Sequence, residues 1–96
     1  MDSLRYVIGE RKYVRLFVYS YKNEPFYVRA AEYELLNPAG EIETSGTCDV
    51  TAVENGTNIL VLVEPKLEGT YTLKIDYDIG EEHLKKSVEI EVVADD

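Results

Sequence analysis

The sequence predicts an all-β fold, an antiparallel sandwich of seven or eight short strands closed over one core. Three observations lead there. Apolar and polar side chains alternate with a period of two along most of the chain, the signature of half-buried strands. Clusters of Gly, Pro, Asn and Asp interrupt that alternation roughly every 8–12 residues, the spacing of strand-to-strand turns. Finally, 96 residues with 45% apolar and 30% charged side chains supply one hydrophobic core and no second. A strand set of this kind buries its apolar phase by packing two sheets face to face. The expected domain is 1–96, with an ordered core over about 4–93.

Each element follows from its own pattern. Residues 4–8 form a short strand ended by Gly9. Residues 12–21 form the first long one, with Val14, Leu16 and Val18 on one face and Tyr13, Arg15, Phe17, Tyr19 and Tyr21 on the other. Lys22-Asn23-Glu24-Pro25 breaks the pattern. Across 26–37, Ala31, Tyr33 and Leu35 share a face against Glu32 and Glu34. Ala, Glu and Leu are also good helix formers, so a helix through 30–36 competes. The clean alternation and the turn Asn37-Pro38-Ala39-Gly40 favour a strand, because Pro38 presets φ and Gly40 tolerates the left-handed region. Glu41-Ile42-Glu43 follows that turn.

Residues 47–54 alternate again, with Cys48, Val50 and Ala52 on one face, the apolar phase expected to supply the core, and Asp49 and Thr51 on the other. Asn55-Gly56 is the strongest turn dipeptide in the chain. The run Ile59-Leu60-Val61-Leu62-Val63 is continuously apolar, which predicts a strand covered on both sides and stopped by Pro65. Gly69–Ile79 is the clearest strand, with Tyr71, Leu73, Ile75, Tyr77 and Ile79 opposed to Thr70, Thr72, Lys74, Asp76 and Asp78. Gly80-Glu81-Glu82 turns the chain into 84–93, where Val88, Ile90 and Val92 point inward.

Nineteen acidic and ten basic residues give a net charge of −9. Residues 1–36 hold six Lys/Arg and five Asp/Glu, a net of +1, and residues 37–96 hold four and fourteen, a net of −10. Such a surface repels phosphate backbones, so no nucleic-acid partner is expected. The longest apolar run is far too short for a helical membrane span, and no membrane partner is expected. Met-Asp-Ser-Leu-Arg-Tyr lacks the basic and apolar regions of a signal peptide, so the expected location is cytoplasmic as synthesised. The single Cys48 excludes an internal disulfide and reads as a small buried hydrophobe.

Leu67-Glu68-Gly69-Thr70-Tyr71-Thr72-Leu73 resembles the approach to strand F of immunoglobulin-like domains, where an acidic residue and Gly lead into a Tyr and a core residue follows two positions later. The resemblance implies that Tyr71 is a tyrosine corner, its ring in the core and its hydroxyl bonded to backbone upstream. It sets Leu73 and Leu16 in the places of the two disulfide cysteines, and Tyr33 or Leu35 in that of the strand-C Trp. With neither Cys pair nor Trp, the chain is similar to disulfide-free immunoglobulin-like or fibronectin-III-like sandwiches of bacterial or bacteriophage type. In whole-chain character, short, acidic and single-domain, it looks like the small accessory and structural proteins of tailed bacteriophages.

Motifs for chemistry are sparse. His83 beside Glu81 and Glu82 reads as a solvated turn residue, and one His and one Cys 35 positions apart do not make a zinc set, so no metal or cofactor is expected. Asp76 and Asp78 lack the dense oxygen spacing of a calcium loop. Glu41/Glu43, Asp76/Asp78 and Glu89/Glu91 are solvated outward pairs rather than an acid and a base with separated pKa values. Ser20, Ser45 and Ser87 lack a nucleophile-elbow setting, and no Gly-rich phosphate loop occurs. No enzyme is expected.

The candidate binding residues are Tyr13, Arg15, Phe17, Tyr19 and Tyr21, aromatic side chains on one phase of one strand with a cation among them. Tyr is favoured at interfaces for its large, rigid, amphipathic contact area. The competing reading has the rings packed under a loop or lining an interior face. A non-enzymatic structural or interaction module is therefore expected, working through a protein partner or self-association; the resemblance implies a bacteriophage-derived virion or accessory protein, assembled into a virion after synthesis. A carbohydrate stacked on the rings is the alternative.

Overall fold

The computed structural model describes residues 3–19, 27–54 and 56–95. Its strands are β1 (Ser3–Val7), β2 (Lys12–Val18), β3 (Val28–Leu36), β4 (Ile42–Thr47), β5 (Asp49–Val53), β6 (Gly56–Val63), β7 (Gly69–Ile79) and β8 (Glu82–Val93). They form a five-stranded sheet in the order β1-β8-β7-β3-β4 and a three-stranded sheet in the order β2-β6-β5. The fold is all-β, as the alternation predicts, and 30–36 is strand rather than helix. The expectation of purely antiparallel sheets needs correction. β1 pairs parallel to β8, from Ser3 opposite Glu89 to Val7 opposite Val93, so the larger sheet is mixed. A parallel edge arises because the chain does not turn back after β1; it crosses to the other sheet at Gly9 and leaves β1 beside the last strand.

The core is the inward phase of both layers. Leu35, Tyr71, Leu73, Ile75, Val88, Ile90 and Val92 come from the larger sheet, and Val14, Ile59, Val61 and Val63 from the smaller. Leu16, the expected counterpart of a core cysteine, is half-buried and packs against this cluster, whereas Leu73 is fully buried. Two tyrosines fasten one end of the sandwich. The Tyr71 hydroxyl accepts the backbone N–H groups of Lys66 (3.1 Å) and Leu67 (2.9 Å) and donates to Glu43 Oε1 at 2.6 Å. This is the corner geometry the local sequence implies. Burial, and then the Glu43 hydrogen bond, raise the Tyr71 phenol above its ordinary value. At the same end, one row along β8, the Tyr6 hydroxyl donates to the Lys12 carbonyl at 3.0 Å, and Lys12 Nζ stands 4.3 Å from the Tyr6 ring centroid, which ties β1 to β2 across the two sheets.

The turn at Asn37 forms as its residues predict. Asn37 Oδ1 accepts from Ala39 N (2.9 Å) and Glu41 N (3.1 Å), and Gly40 N donates to the Asn37 carbonyl at 2.8 Å. Pro38 then seats against Gly69, where an added Cβ would come within 2.8 Å of Pro38 Cγ; with φ at +126°, Gly69 has no room or conformational freedom for a side chain.

Three local expectations change. β5 is an edge strand with all five residues exposed, so Val50 and Ala52 are not core residues as predicted; only Cys48, where the chain passes from one sheet to the other, is buried. The Cys48 N–H donates to the Ala31 carbonyl at 2.9 Å, and burial together with Asp49 and Glu32 pushes the thiol up to about 11, so it stays protonated at neutral pH. Of the turn Asn55-Gly56, Asn55 is outside the described residues, and Gly56 begins β6 without a positive φ. The continuous apolar run is covered on one side only: Ile59, Val61 and Val63 are buried, whereas Leu62 is exposed and Leu60 half-exposed.

Candidate docking face

β2 is an edge of the three-stranded sheet, and its register with β6 sets what each outward residue meets. Val14 opposes Val61 and Leu16 opposes Ile59 on the inner side. Tyr13 therefore opposes Leu62, Arg15 opposes Leu60, and Phe17 opposes Asn58 on the outer side. The β5 register extends these rows to Asp49 beside Leu60, Thr51 beside Asn58 and Val53 beside Gly56. The outer face is thus a grid of three strands whose contents the alternation alone dictates.

Four of the five sequence-predicted site residues lie on that face, and Tyr21 is outside the described residues. The rings do not line an interior face. Tyr13 is 60% exposed, Phe17 44% and Tyr19 65%, and Leu62 and Val53 add 44% and 43%. Phe17 and Tyr19 stack with centroids 5.8 Å apart and planes 20° from parallel. Gly56 makes that stack possible: a Cβ there would fall 2.8 Å from Phe17 Cζ and 2.3 Å from the Val18 carbonyl oxygen, so the Phe17 ring rests on bare backbone. Arg15 and Asp49 lie in the row between the Tyr13–Leu62 pair and the Phe17–Tyr19 stack, and Asn58 opposes Phe17. Asn58 Oδ1 is enclosed without a hydrogen-bond partner among the described residues.

The residues of this face that were not among the expected site residues, Leu62, Val53, Asn58 and Asp49, come from β5 and β6. For Leu62 the signal was the even phase of the run from Ile59 to Val63, one phase of which needs cover from outside the strand; Asn58, Val53 and Asp49 carry no such signal and join the face only through the register.

The outer face of the larger sheet has the opposite character. It carries Glu32, Glu34, Asp76, Asp78, Glu89 and Glu91 against Arg5, Lys74 and Lys85. A concavity of about 540 Å³ lies over this sheet, with Glu32, Glu34, Lys74, Asp76 and Lys85 in its lining. The register sets Glu34 opposite Lys74 and Asp76 opposite Lys85, so charges alternate across the strands. Glu32 and Glu34 are exposed and the Asp76 side chain is 46% exposed, which leaves these carboxylates hydrated. His83 is not in that lining; its Nδ1 is 2.5 Å from Asp78 Oδ1 and its Nε2 4.0 Å from Asp76 Oδ2. Among the described residues no group of three or more His, Cys, Asp or Glu side chains is arranged to hold a metal ion. Among the same residues no helix is long and apolar enough to cross a membrane.

No family model matches the chain, and no curated protein matches it. Among solved structures it is similar to the crystal structure of an engineered protein, with a TM-score of 0.70 at 16% identity. The match covers 96% of this chain and 18% of that chain. A likeness at this identity shows a shared fold and carries no function.

Proposed function

We propose that the chain is an immunoglobulin-like, non-enzymatic docking module that binds a protein surface through the outer face of its three-stranded sheet. The observation that carries this reading is the apolar face itself, with Tyr13, Phe17, Tyr19, Leu62 and Val53 each between 43% and 65% exposed. Clustered exposure of large apolar side chains beside a few polar groups marks interaction sites on soluble domains. The immunoglobulin-like assignment is supported by the order β2-β6-β5 facing β8-β7-β3-β4, which matches strands B, E and D facing G, F, C and an added C′, and by the Tyr71 corner. The resemblance to phage accessory proteins suits a module that works by docking into an assembly.

A photoreactive phenylalanine analogue at position 19 tests the reading. Irradiation in the native host is expected to yield a discrete protein adduct from position 19 and none from a control at position 89, on the acidic sheet. Equal adducts from both positions, or none from either, would refute it.

The Phe17–Tyr19 stack supports a second reading, because it holds one ring nearly parallel to another with Tyr19 open, a platform for a sugar ring. Glycan titration is then expected to shift Tyr19 resonances, with the response lost in Tyr19→Ala.

A further inference from the structure

We propose that the occupant of this face is a second copy of the chain, packed sheet to sheet about a two-fold axis that runs along β6. The inference rests on the docking reading and specifies its partner. Three features of the structure point to it.

The first is charge. A second copy brings the same net −9, so self-docking needs a face on which that charge is absent. The outer face of the five-stranded sheet is acidic and would repel itself. The outer face of the three-stranded sheet carries Arg15 and Asp49, one charge of each sign, and turns the acidic faces of the two copies away from each other.

The second is the row structure. Arg15, Leu60 and Asp49 stand in one cross-strand row, with Arg15 on one edge strand and Asp49 on the other. At a strand spacing of about 4.8 Å, the backbones of the two residues are roughly 10 Å apart within one copy, and among the ion pairs of the described residues none joins Arg15 to Asp49. Rotation by half a turn about an axis along β6 exchanges the two edges and preserves the rows. Arg15 then faces the partner's Asp49, and Asp49 faces the partner's Arg15. The same operation sets Phe17 over the partner's Thr51 and Leu60 against its own copy. Two sheets stacked in this aligned way are a standard packing for twisted sheets.

The third is area. A large aromatic side chain presents about 150–250 Å², so the three rings alone offer on the order of 350 Å² at their observed exposures. Leu62, Val53 and the polar residues between them bring the face close to the roughly 800 Å² per partner that a specific interface buries.

Sedimentation equilibrium of the full chain, from micromolar to near-millimolar concentration, tests the inference with a charge swap. The wild-type chain is expected to dimerise reversibly. Arg15→Asp and Asp49→Arg each place like charges in contact twice per dimer and are expected to raise the dissociation constant by at least ~10-fold. The double variant Arg15→Asp/Asp49→Arg is expected to return to within ~3-fold of wild type, since it restores both pairs with reversed polarity. Both residues are exposed, and unchanged circular dichroism in each variant establishes that folding is not the cause.

A wild-type chain that stays monomeric throughout overturns the inference, and so does a double variant no tighter than the single ones. Photocrosslinking at position 19 separates the two levels of failure. A monomeric chain crosslinked there to a different protein overturns the second copy as occupant and keeps the face as a docking surface. A monomeric chain with no adduct overturns both.

Discussion

Replacing Tyr71 by Phe removes one oxygen from the middle of the corner and leaves the buried ring in place. That oxygen accepts two backbone N–H groups, from Lys66 at 3.1 Å and Leu67 at 2.9 Å, and donates to the Glu43 carboxylate at 2.6 Å. A neutral intramolecular hydrogen bond contributes about 1 kcal/mol net, and one to a charged group about 1.5–3 kcal/mol. Two circumstances lower the sum. Lys66 and Leu67 are exposed, so their amides regain water, and Glu43 Oε2 already lies 3.4 Å from the Lys66 N–H and can take over one donor. The expected loss is therefore about 2 kcal/mol. In urea, with a slope of about 1–1.5 kcal/mol per molar for a domain of this size, the midpoint falls by roughly 1.3–2 M. Equilibrium unfolding followed by far-ultraviolet circular dichroism reads it directly, and an unchanged slope establishes that the two variants expose the same surface. A double-mutant cycle with Glu43→Ala is expected to give a coupling of about 1 kcal/mol, because the two groups share one bond. A Tyr71→Phe midpoint within about 0.3 M of wild type would refute the corner as a fastening of the chain after Pro65 and leave the ring alone as its contribution.

Two further perturbations follow from the geometry. Gly56→Ala drives a Cβ to 2.3 Å from the Val18 carbonyl oxygen and 2.8 Å from Phe17 Cζ, so β2 and the Phe17 ring must both shift; a loss of about 1–3 kcal/mol in urea unfolding is expected, together with weaker docking through the displaced ring. Burial, and then the Glu10 charge, push the Tyr6 phenol up to about 12. The folded state holds this proton more tightly than the unfolded chain, whose phenol titrates near 10, so its contribution is complete below about pH 10 and is lost as pH rises through about 12. Urea midpoints measured across that window are expected to fall, and Tyr6→Phe is expected to flatten the fall, with the remaining slope due in part to Tyr71, which is raised in the same direction.

The fold was legible wherever one strand carries a clean alternation with a strong stop. Gly69–Ile79 and the turn at Asn37 contain their own instructions, since period two fixes the buried phase and Pro38 with Asn37 fixes the reversal. The corner was legible because its residues are contiguous in sequence, with only Glu43 arriving from elsewhere. Two features were not legible because they are properties of neighbours. A single strand does not encode the sense of its pairing, so the parallel join of β1 to β8 left no mark in residues 3–7. Nor does it encode whether the opposite sheet reaches over it, so Val50 and Ala52 alternate correctly and still lie at an uncovered edge. The candidate face was half legible. The ring-bearing phase of β2 is visible as a stripe, but the residues that complete the face come from β5 and β6, and only the register joins them to it.

The run from Ile59 to Val63 connects the fold to the proposed use. Its odd phase, Ile59, Val61 and Val63, is almost fully buried and supplies the sandwich with its central strand. Its even phase contributes little to that core: Leu62 is 44% exposed, and Leu60 looks outward beside Arg15. A strand selected only to close a core would carry polar residues there, as β7 does with Thr72, Lys74 and Asp76 at the same phase of the other sheet. Apolar side chains at these positions expose the folded chain to association while adding little to its stability. The same contrast holds between β2, with Tyr13 and Phe17 outward, and β8, with Lys85, Ser87, Glu89 and Glu91 outward. Two sheets of one small domain, built by the same alternation, thus differ in what they turn to the outside, and the difference gathers on the face where the opposite charges of Arg15 and Asp49 share a row. Packing the core does not require that arrangement; burying the face against a partner does.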